Sequence, residues 1–224
     1  MEIILVRHGE PEWVIDGRTV HDPGLTSLGI AQARAVASRL ASLDGIDEIL
    51  VSPALRAIET AEPLERSAQI TALTIADLTE IRVPFDDTPS HVVERAFREA
   101  RDRPLDEWWS GIGGGESFGD FHIRVTEAIE AVLRQRGVHQ LDTQHLWRDE
   151  GTHHRIVIVA HGGTNAVILG HLLGLDPTPW EWERFVSNHA ATIRLRTIPL
   201  AGEHVMSLWE TNGTNHLSQD YLTR

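Results

Sequence analysis

Short apolar runs alternate along the chain with longer stretches in which apolar residues recur every three or four positions. Glu2 to Val6, Glu48 to Ser52 and Arg155 to Ala160 read as strands, the last nearly all apolar and so buried on both faces. Thr26 to Leu43 carries Leu28, Ala31, Ala35 and Leu40 at near-helical spacing, which predicts a helix opening at Thr26 or Ser27. Ser52 reads as an N-cap and Pro53 as a first helical residue, placing Arg56 in the first turns of the next helix. A weaker strand at Thr71 to Ile75 precedes an insertion from about Arg82 to Gly115, helical at Val92 to Arg101. Helices follow at Ser117 to Gly137 and Thr164 to Leu173. Ala191 to Ile198 and His204 to Trp209 form an expected antiparallel pair joined through Pro199 to Gly202. This order predicts an α/β fold, a three-layer α/β/α sandwich, in one domain spanning 1–224 with a cap at about 82–116.

Composition narrows the function classes. The chain has 224 residues, 41% of them hydrophobic, enough for a sizeable core. Its net charge is -13, and all 20 basic residues are arginine. So acidic a surface disfavours nucleic acid and anionic membranes as partners, and it repels an anionic substrate unless positive charge is concentrated locally. The absence of cysteine excludes disulfides, thiolate metal sites and cysteine nucleophiles. The chain opens on a strand, not a leader, and holds no apolar run of membrane-spanning length, so a cytoplasmic protein is expected.

Candidate chemistry sits where strands end. Arg7-His8-Gly9 follows Ile3-Ile4-Leu5-Val6, Leu55-Arg56 follows the second strand, and His161-Gly162-Gly163 follows the third. Open α/β sheets hold ligands at the carboxyl ends of their strands, and Gly9 is expected to let the backbone turn sharply there. Alone, Arg56 reads as a surface ion-pair residue and His161 as a satisfied polar group near the core. Together, two arginines and two histidines suit a phosphate, because the guanidinium fork matches phosphate oxygens and a neutral imidazole is a nucleophile. As a strand-end residue, His8 is expected to be exposed and to contribute little to the core.

Five segments in order resemble the histidine phosphatase superfamily, in the branch related to cofactor-dependent phosphoglycerate mutase. They are Leu5-Val6-Arg7-His8-Gly9-Glu10, Leu25-Thr26-x-x-Gly29-x-x-Gln32-Ala33, Ser52-Pro53-x-x-Arg56-Ala57-x-x-Thr60-Ala61, Gly114-Gly115-Glu116-Ser117 and Ala160-His161-Gly162-Gly163. The resemblance implies a mostly parallel sheet with one antiparallel edge strand. It also implies a metal-independent phosphomonoester hydrolase with no cofactor, acting on a small phosphorylated metabolite. His8 becomes the nucleophile that forms a phosphohistidine, and His161 stabilises the transferring group. Arg7 and Arg56 bind the phosphate, aided by the backbone amides of Gly162 and Gly163 at a helix start. Glu80, in Leu78-Thr79-Glu80-Ile81, matches the family's general acid, with Asp77, Asp86 and Asp87 as nearby carboxylates. A homodimer is compatible with this reading.

Departures from the family pattern bear on the substrate. Pro11 replaces the threonine of Arg-His-Gly-Glu-Thr-x-x-Asn, and Val14 cannot donate to phosphate as an asparagine does. Arg18 matches a family arginine near the substrate and is a candidate contact. His21 is another, although a loop position is the plainer reading. The segment after Glu80, Ile81-Arg82-Val83-Pro84-Phe85, lacks the arginine-rich pattern of the mutases, which favours hydrolysis over a phosphotransferase of mutase type. Gly111 to Gly115 reads as a flexible hinge before the Ser117 helix. His139, His145, His153 and His154 lie in a segment taken as a solvated insertion over 138–154, with no metal site expected. Trp108 and Trp109 suit a substrate mouth or partner surface, and Trp180 and Trp182 the core. The competing class is a binding module that holds a phosphorylated ligand without turnover.

Overall fold

The computed structural model describes residues 1–43, 45–141, 145–151 and 154–224. Its strands are β1 (Glu2–Arg7), β2 (Val14–Ile15), β3 (Arg18–Thr19), β4 (Glu48–Val51), β5 (Leu73–Thr74), β6 (Val138–Gln140), β7 (Trp147–Asp149), β8 (Arg155–Ala160), β9 (Thr192–Leu200) and β10 (Glu203–Gly213). The helices are α1 (Ser27–Ala41), α2 (Leu55–Ala68), α3 (Ser90–Arg101), α4 (Phe118–Arg134), α5 (Gly162–Leu172) and the short α6 (Glu181–Arg184). An eight-stranded sheet runs β5-β4-β8-β1-β9-β10-β7-β6, and β2 pairs with β3 in a separate hairpin.

Alternation along the central strands builds two cores. Ile3, Leu5, Ile156 and Ile158 face α4 and α5, where they meet Phe121, Val125, Ile129, Ile168 and Leu172. Ile4, Val6, Val157 and Val159 face α1 and α2, against Val36, Leu40, Ala57, Ala61 and Leu64. The strands are thus buried on both sides, which is why they read as unbroken apolar runs. α1 opens as expected, with the Thr26 hydroxyl accepting the Gly29 N–H at 3.0 Å.

The α/β/α class and the parallel centre match expectation, since β5, β4, β8 and β1 pair in parallel. The antiparallel edge is wider than the single strand expected, with β9, β10, β7 and β6 each antiparallel to its neighbour. β9 and β10 turn through Ala201 and Gly202, both with positive φ (52° and 85°), a two-residue hairpin turn whose twist suits the strands. β6 and β7 fall in the segment read as a solvated insertion. That reading is corrected, because Val138 and Trp147 are fully buried in the larger core. Few apolar residues mark these strands, and polar neighbours hid them; His153 lies outside the described residues.

Two local expectations also change. α2 begins at Leu55 rather than Pro53, with Ala54 at its N-cap position and the Asp22 carboxylate, from a distant loop, accepting the Leu55 N–H at 3.0 Å. Gly111 to Gly115 form a packed turn, not a hinge: a Cβ on Gly111 would stand 2.2 Å from the Glu116 carbonyl oxygen. The insertion carries α3 and laces to the β2–β3 hairpin, with the Thr19 N–H donating to the Thr88 carbonyl at 2.8 Å and the Ser90 N–H to Gly17 at 3.0 Å. No helix among the described residues is long and apolar enough to cross a membrane.

At the far end of β1, the Glu2 carboxylate is buried and receives hydrogen bonds from Arg155, Arg194 and Arg196. Burial alone would raise this carboxyl, but the three arginines hold it below its ordinary value. Glu2→Gln is expected to cost about 2 kcal/mol at neutral pH, less than a fully buried broken pair because the arginines are partly solvated. A group with a lowered folded pKa stabilises above its unfolded pKa and loses that contribution as pH falls through the folded value. The difference between variant and wild type in denaturant midpoints should therefore shrink under acid. A pH-independent difference would contradict the assignment.

Candidate active site

The ends of the parallel strands meet the starts of the helices that follow them. The loop after β1 is pinned from two helices: the Gly9 N–H donates to Thr60 Oγ1 at 2.9 Å on α2, and the Glu10 N–H to Gln32 Oε1 at 2.7 Å on α1. A Cβ on Gly9 would lie 2.6 Å from the Gly29 carbonyl oxygen. Glycine is needed at position 9 for this close approach, not for the sharp turn that the sequence led us to expect. Thr60, Gly29 and Gln32 are thereby explained as the residues that hold the Arg7–Glu10 loop in place.

His8 is 4% exposed, which corrects the expectation of an exposed strand-end residue. Its Nδ1 lies 2.7 Å from the Gly9 carbonyl oxygen, an acceptor only, so the ring proton resides on Nδ1 and the Nε2 lone pair is left to react. Arg56 Nε donates to that lone pair at 3.3 Å. Burial first, and then the charges of Arg56 and Arg7 and the neighbouring His161, hold His8 well below the usual histidine range. His161 is fully buried, its ring 5.2 Å from that of His8, and it is kept neutral by burial and by the same arginines. Its Nε2 lies 2.8 Å from Ser52 Oγ, while its Nδ1 is buried with no hydrogen-bond partner among the described residues.

The arginines enter from both sides. Arg56 is 6% exposed, lies 3.6 Å from Asp22 Oδ1 and stacks 4.6 Å from the ring centre of Trp13. Arg7 donates to the Ser187 carbonyl and to His189 Nε2, and its buried Nε has no partner among the described residues. A Cβ on Gly162, the first residue of α5, would stand 3.5 Å from that Nε, so the guanidinium lies against the helix start.

Glu80 reaches the same helix start. Its Oε2 accepts the Gly163 N–H at 2.8 Å and its Oε1 the N–H of Ile81 at 3.0 Å. The Gly163 amide, expected to be free for phosphate, is therefore committed to Glu80. The loop carrying Glu80 is clamped by Arg124, whose Nε and NH2 each reach the Glu116 carboxylate at 2.8 Å while NH1 donates to the Asp77 carbonyl at 2.7 Å. Glu116 in turn accepts the Arg82 N–H at 3.1 Å, which accounts for a carboxylate after Gly114-Gly115. Asp77 and Asp86 are both exposed.

Arg7, His8, Arg56, Glu80, His161 and Gly162 are thus brought together at the carboxyl ends of the central parallel strands. Arg18 is engaged elsewhere, donating from Nε and NH2 to the Asp87 carboxylate and carbonyl, and His21 is exposed in the bend before α1. Trp180 is buried against Phe118 and Trp182, and Trp182 reaches the site, 2.9 Å from where a Cβ on Gly163 would stand. Trp108 packs on the larger core with its Nε1 donating to the Arg103 carbonyl at 2.8 Å, whereas Trp109 is exposed.

Three neighbours of the site were not read as such from sequence. Ser52 was assigned to a helix cap, and Asp22 lies in a loop without a pattern. His189 precedes a strand instead of following one. The signal for His189 was available in the terminal pair: β9 runs antiparallel to β1, so the start of β9 lies beside the end of β1.

Known proteins share sequence and fold with this chain. The chain is 32% identical over 183 residues to a glucosyl-3-phosphoglycerate phosphatase of Mycolicibacterium vanbaalenii, covering 80% of this chain and 76% of that one. It is 28% identical over 179 residues to a probable phosphoglycerate mutase GpmB of Proteus mirabilis, covering 78% and 76%. Its fold matches the crystal structure of the alpha-ribazole phosphatase from Shigella flexneri with a TM-score of 0.71 at 21% identity, over 95% of this chain and 96% of that one. Residues 3–199 match the model of the histidine phosphatase superfamily, branch 1, and the chain belongs to that family.

Proposed function

We propose that this protein hydrolyses phosphomonoesters of small metabolites through a phosphohistidine on His8. The observation that carries the reading is the His8 ring itself: its proton is fixed on Nδ1 by the Gly9 carbonyl, and its neutral Nε2 faces Arg56. In the first step Nε2 attacks phosphorus, the phosphorus–oxygen ester bond breaks, and Glu80 gives its proton to the departing alkoxide. Arg7 and Arg56 neutralise the oxygens of the transferring group. In this reading Ser52 Oγ, 2.8 Å from His161 Nε2, donates its proton there, and the His161 proton stands on the unpartnered Nδ1, a donor for a phosphoryl oxygen. In the second step Glu80 takes a proton from water as its oxygen attacks phosphorus, the phosphorus–nitrogen bond breaks, and phosphate leaves.

Relatives named as phosphatases of phosphorylated metabolites support this substrate class. The reading treats residues 82–116 as a cap on one catalytic domain and the protein as cytoplasmic. The test is phosphate release from an aryl phosphate in the presence of a chelator, which is expected to proceed undiminished. Phosphate bound without turnover would instead favour the binding module. Rapid exchange of label between phosphoglycerates without net hydrolysis would favour the mutase.

A further inference from the structure

Arg7 is oriented by contacts to the Ser187 carbonyl and to His189, whose ring lies 5.7 Å from that of His8. Its NH2 lies 3.1 Å from His189 Nε2, and a guanidinium only donates, so His189 accepts and carries its own proton on Nδ1. That Nδ1 lies 2.8 Å from Thr223 Oγ1, which also receives Gln32 Nε2 at 2.9 Å. The Thr223 carbonyl accepts the His189 N–H at 3.0 Å, and Gln32 Nε2 donates as well to the Tyr221 carbonyl at 2.8 Å. The other end of the Gln32 side chain holds the Glu10 N–H, so one connected set of hydrogen bonds joins residues 221–223 to both ends of the loop after β1. His189 is 5% exposed, and burial followed by the Arg7 charge lowers it to about 3. It is neutral at any working pH and its Nε2 stays an acceptor.

We infer that His189 is a positioning residue for Arg7, fixed in one tautomer by Thr223, so that the segment 221–223 sets the direction of the guanidinium fork. The inference rests on the reading that Arg7 binds the phosphoryl group. With NH1 and NH2 anchored to the Ser187 carbonyl and to His189, the unpartnered Nε and the second NH2 hydrogen form the pair left for two oxygens. A rotation of the fork would break that two-point match while leaving the charge in place.

Side-chain amides separate the two ends of the imidazole. His189→Gln places an acceptor near the position of Nε2, whereas His189→Asn places a donor near Nδ1 and falls short of Arg7. Calorimetric binding of inorganic phosphate is the readout, because it needs no turnover. His189→Gln is expected to bind within about threefold of wild type and His189→Asn about tenfold more weakly, the scale of one charge-assisted hydrogen bond. Thr223→Val should weaken binding several-fold in the wild type and clearly less in the His189→Gln background, where only its contact with Gln32 Nε2 is left to lose. Equal losses for Gln and Asn, or a Thr223→Val loss of the same size in both backgrounds, would overturn the inference. No phosphate binding by the wild type would overturn it together with the proposed function. Phosphate binding with the expected coupling but no turnover would leave the inference standing and remove the hydrolase.

Discussion

Substitution of His8 by asparagine is expected to lower turnover by roughly four orders of magnitude or more, the scale seen when a covalent nucleophile is removed and only electrostatic binding remains. Asparagine is the informative replacement. Its Nδ2 sits where Nδ1 does and can still donate to the Gly9 carbonyl, so the loop contact at 2.7 Å is kept while Nε2 is deleted. Alanine would also remove the nucleophile, but it would leave a hole beside the buried Arg56 and His161. The asparagine variant should keep its affinity for inorganic phosphate, because Arg7, Arg56 and His161 remain. Turnover near that of wild type would mean that another group attacks phosphorus.

The second large effect is expected at Glu80. If it protonates the leaving group, Glu80→Gln should slow esters of alkyl alcohols about a hundred- to a thousandfold and aryl esters far less, since phenolates leave with little protonation. Geometry supports Glu80 over its neighbours: its carboxylate is held at the Gly163 amide, two residues after His161, whereas Asp77 and Asp86 face solvent. Gly163→Ala offers an independent check. A Cβ there would stand 2.4 Å from Glu80 Oε1 and 2.9 Å from the Trp182 ring, so the carboxylate must move and alkyl esters should again suffer more. A uniform loss on both ester classes would assign Glu80 a structural role. Leaving-group dependence in Asp77→Asn or Asp86→Asn, absent in Glu80→Gln, would move the acid elsewhere.

Much of the site was legible in the sequence because it lies at strand ends. Ile3 to Val6 and Ile156 to Ala160 are apolar throughout, and the residues that follow them are placed by the strands themselves. The motif positions in α1 and α2 also became intelligible, since Gln32 and Thr60 bind the loop that carries His8. What sequence missed was spatial. His189 comes to Arg7 through an antiparallel strand, and Asp22 comes to Arg56 through a loop, so neither has a local pattern. Ser52 was recognised, but its hydroxyl serves His161 where a cap had been expected. β6 and β7 escaped because each has three residues and is surrounded by polar ones, and a strand that short leaves too few alternations to detect. The exposure of His8 was misjudged for the opposite reason: the strand end was located correctly, but the helices, Arg56 and His189 that enclose it are distant in sequence.

Chemical trapping of the intermediate tests the central claim most directly. A phosphorus-labelled aryl phosphate mixed with excess enzyme and quenched in alkali within milliseconds should leave label on the protein. That label should be stable to base, lost in acid, and located on the peptide containing His8. The same quench with the His8→Asn variant should leave none. Label on a different residue, or phosphate released at the full rate with no labelled protein at any time, would contradict the phosphohistidine mechanism.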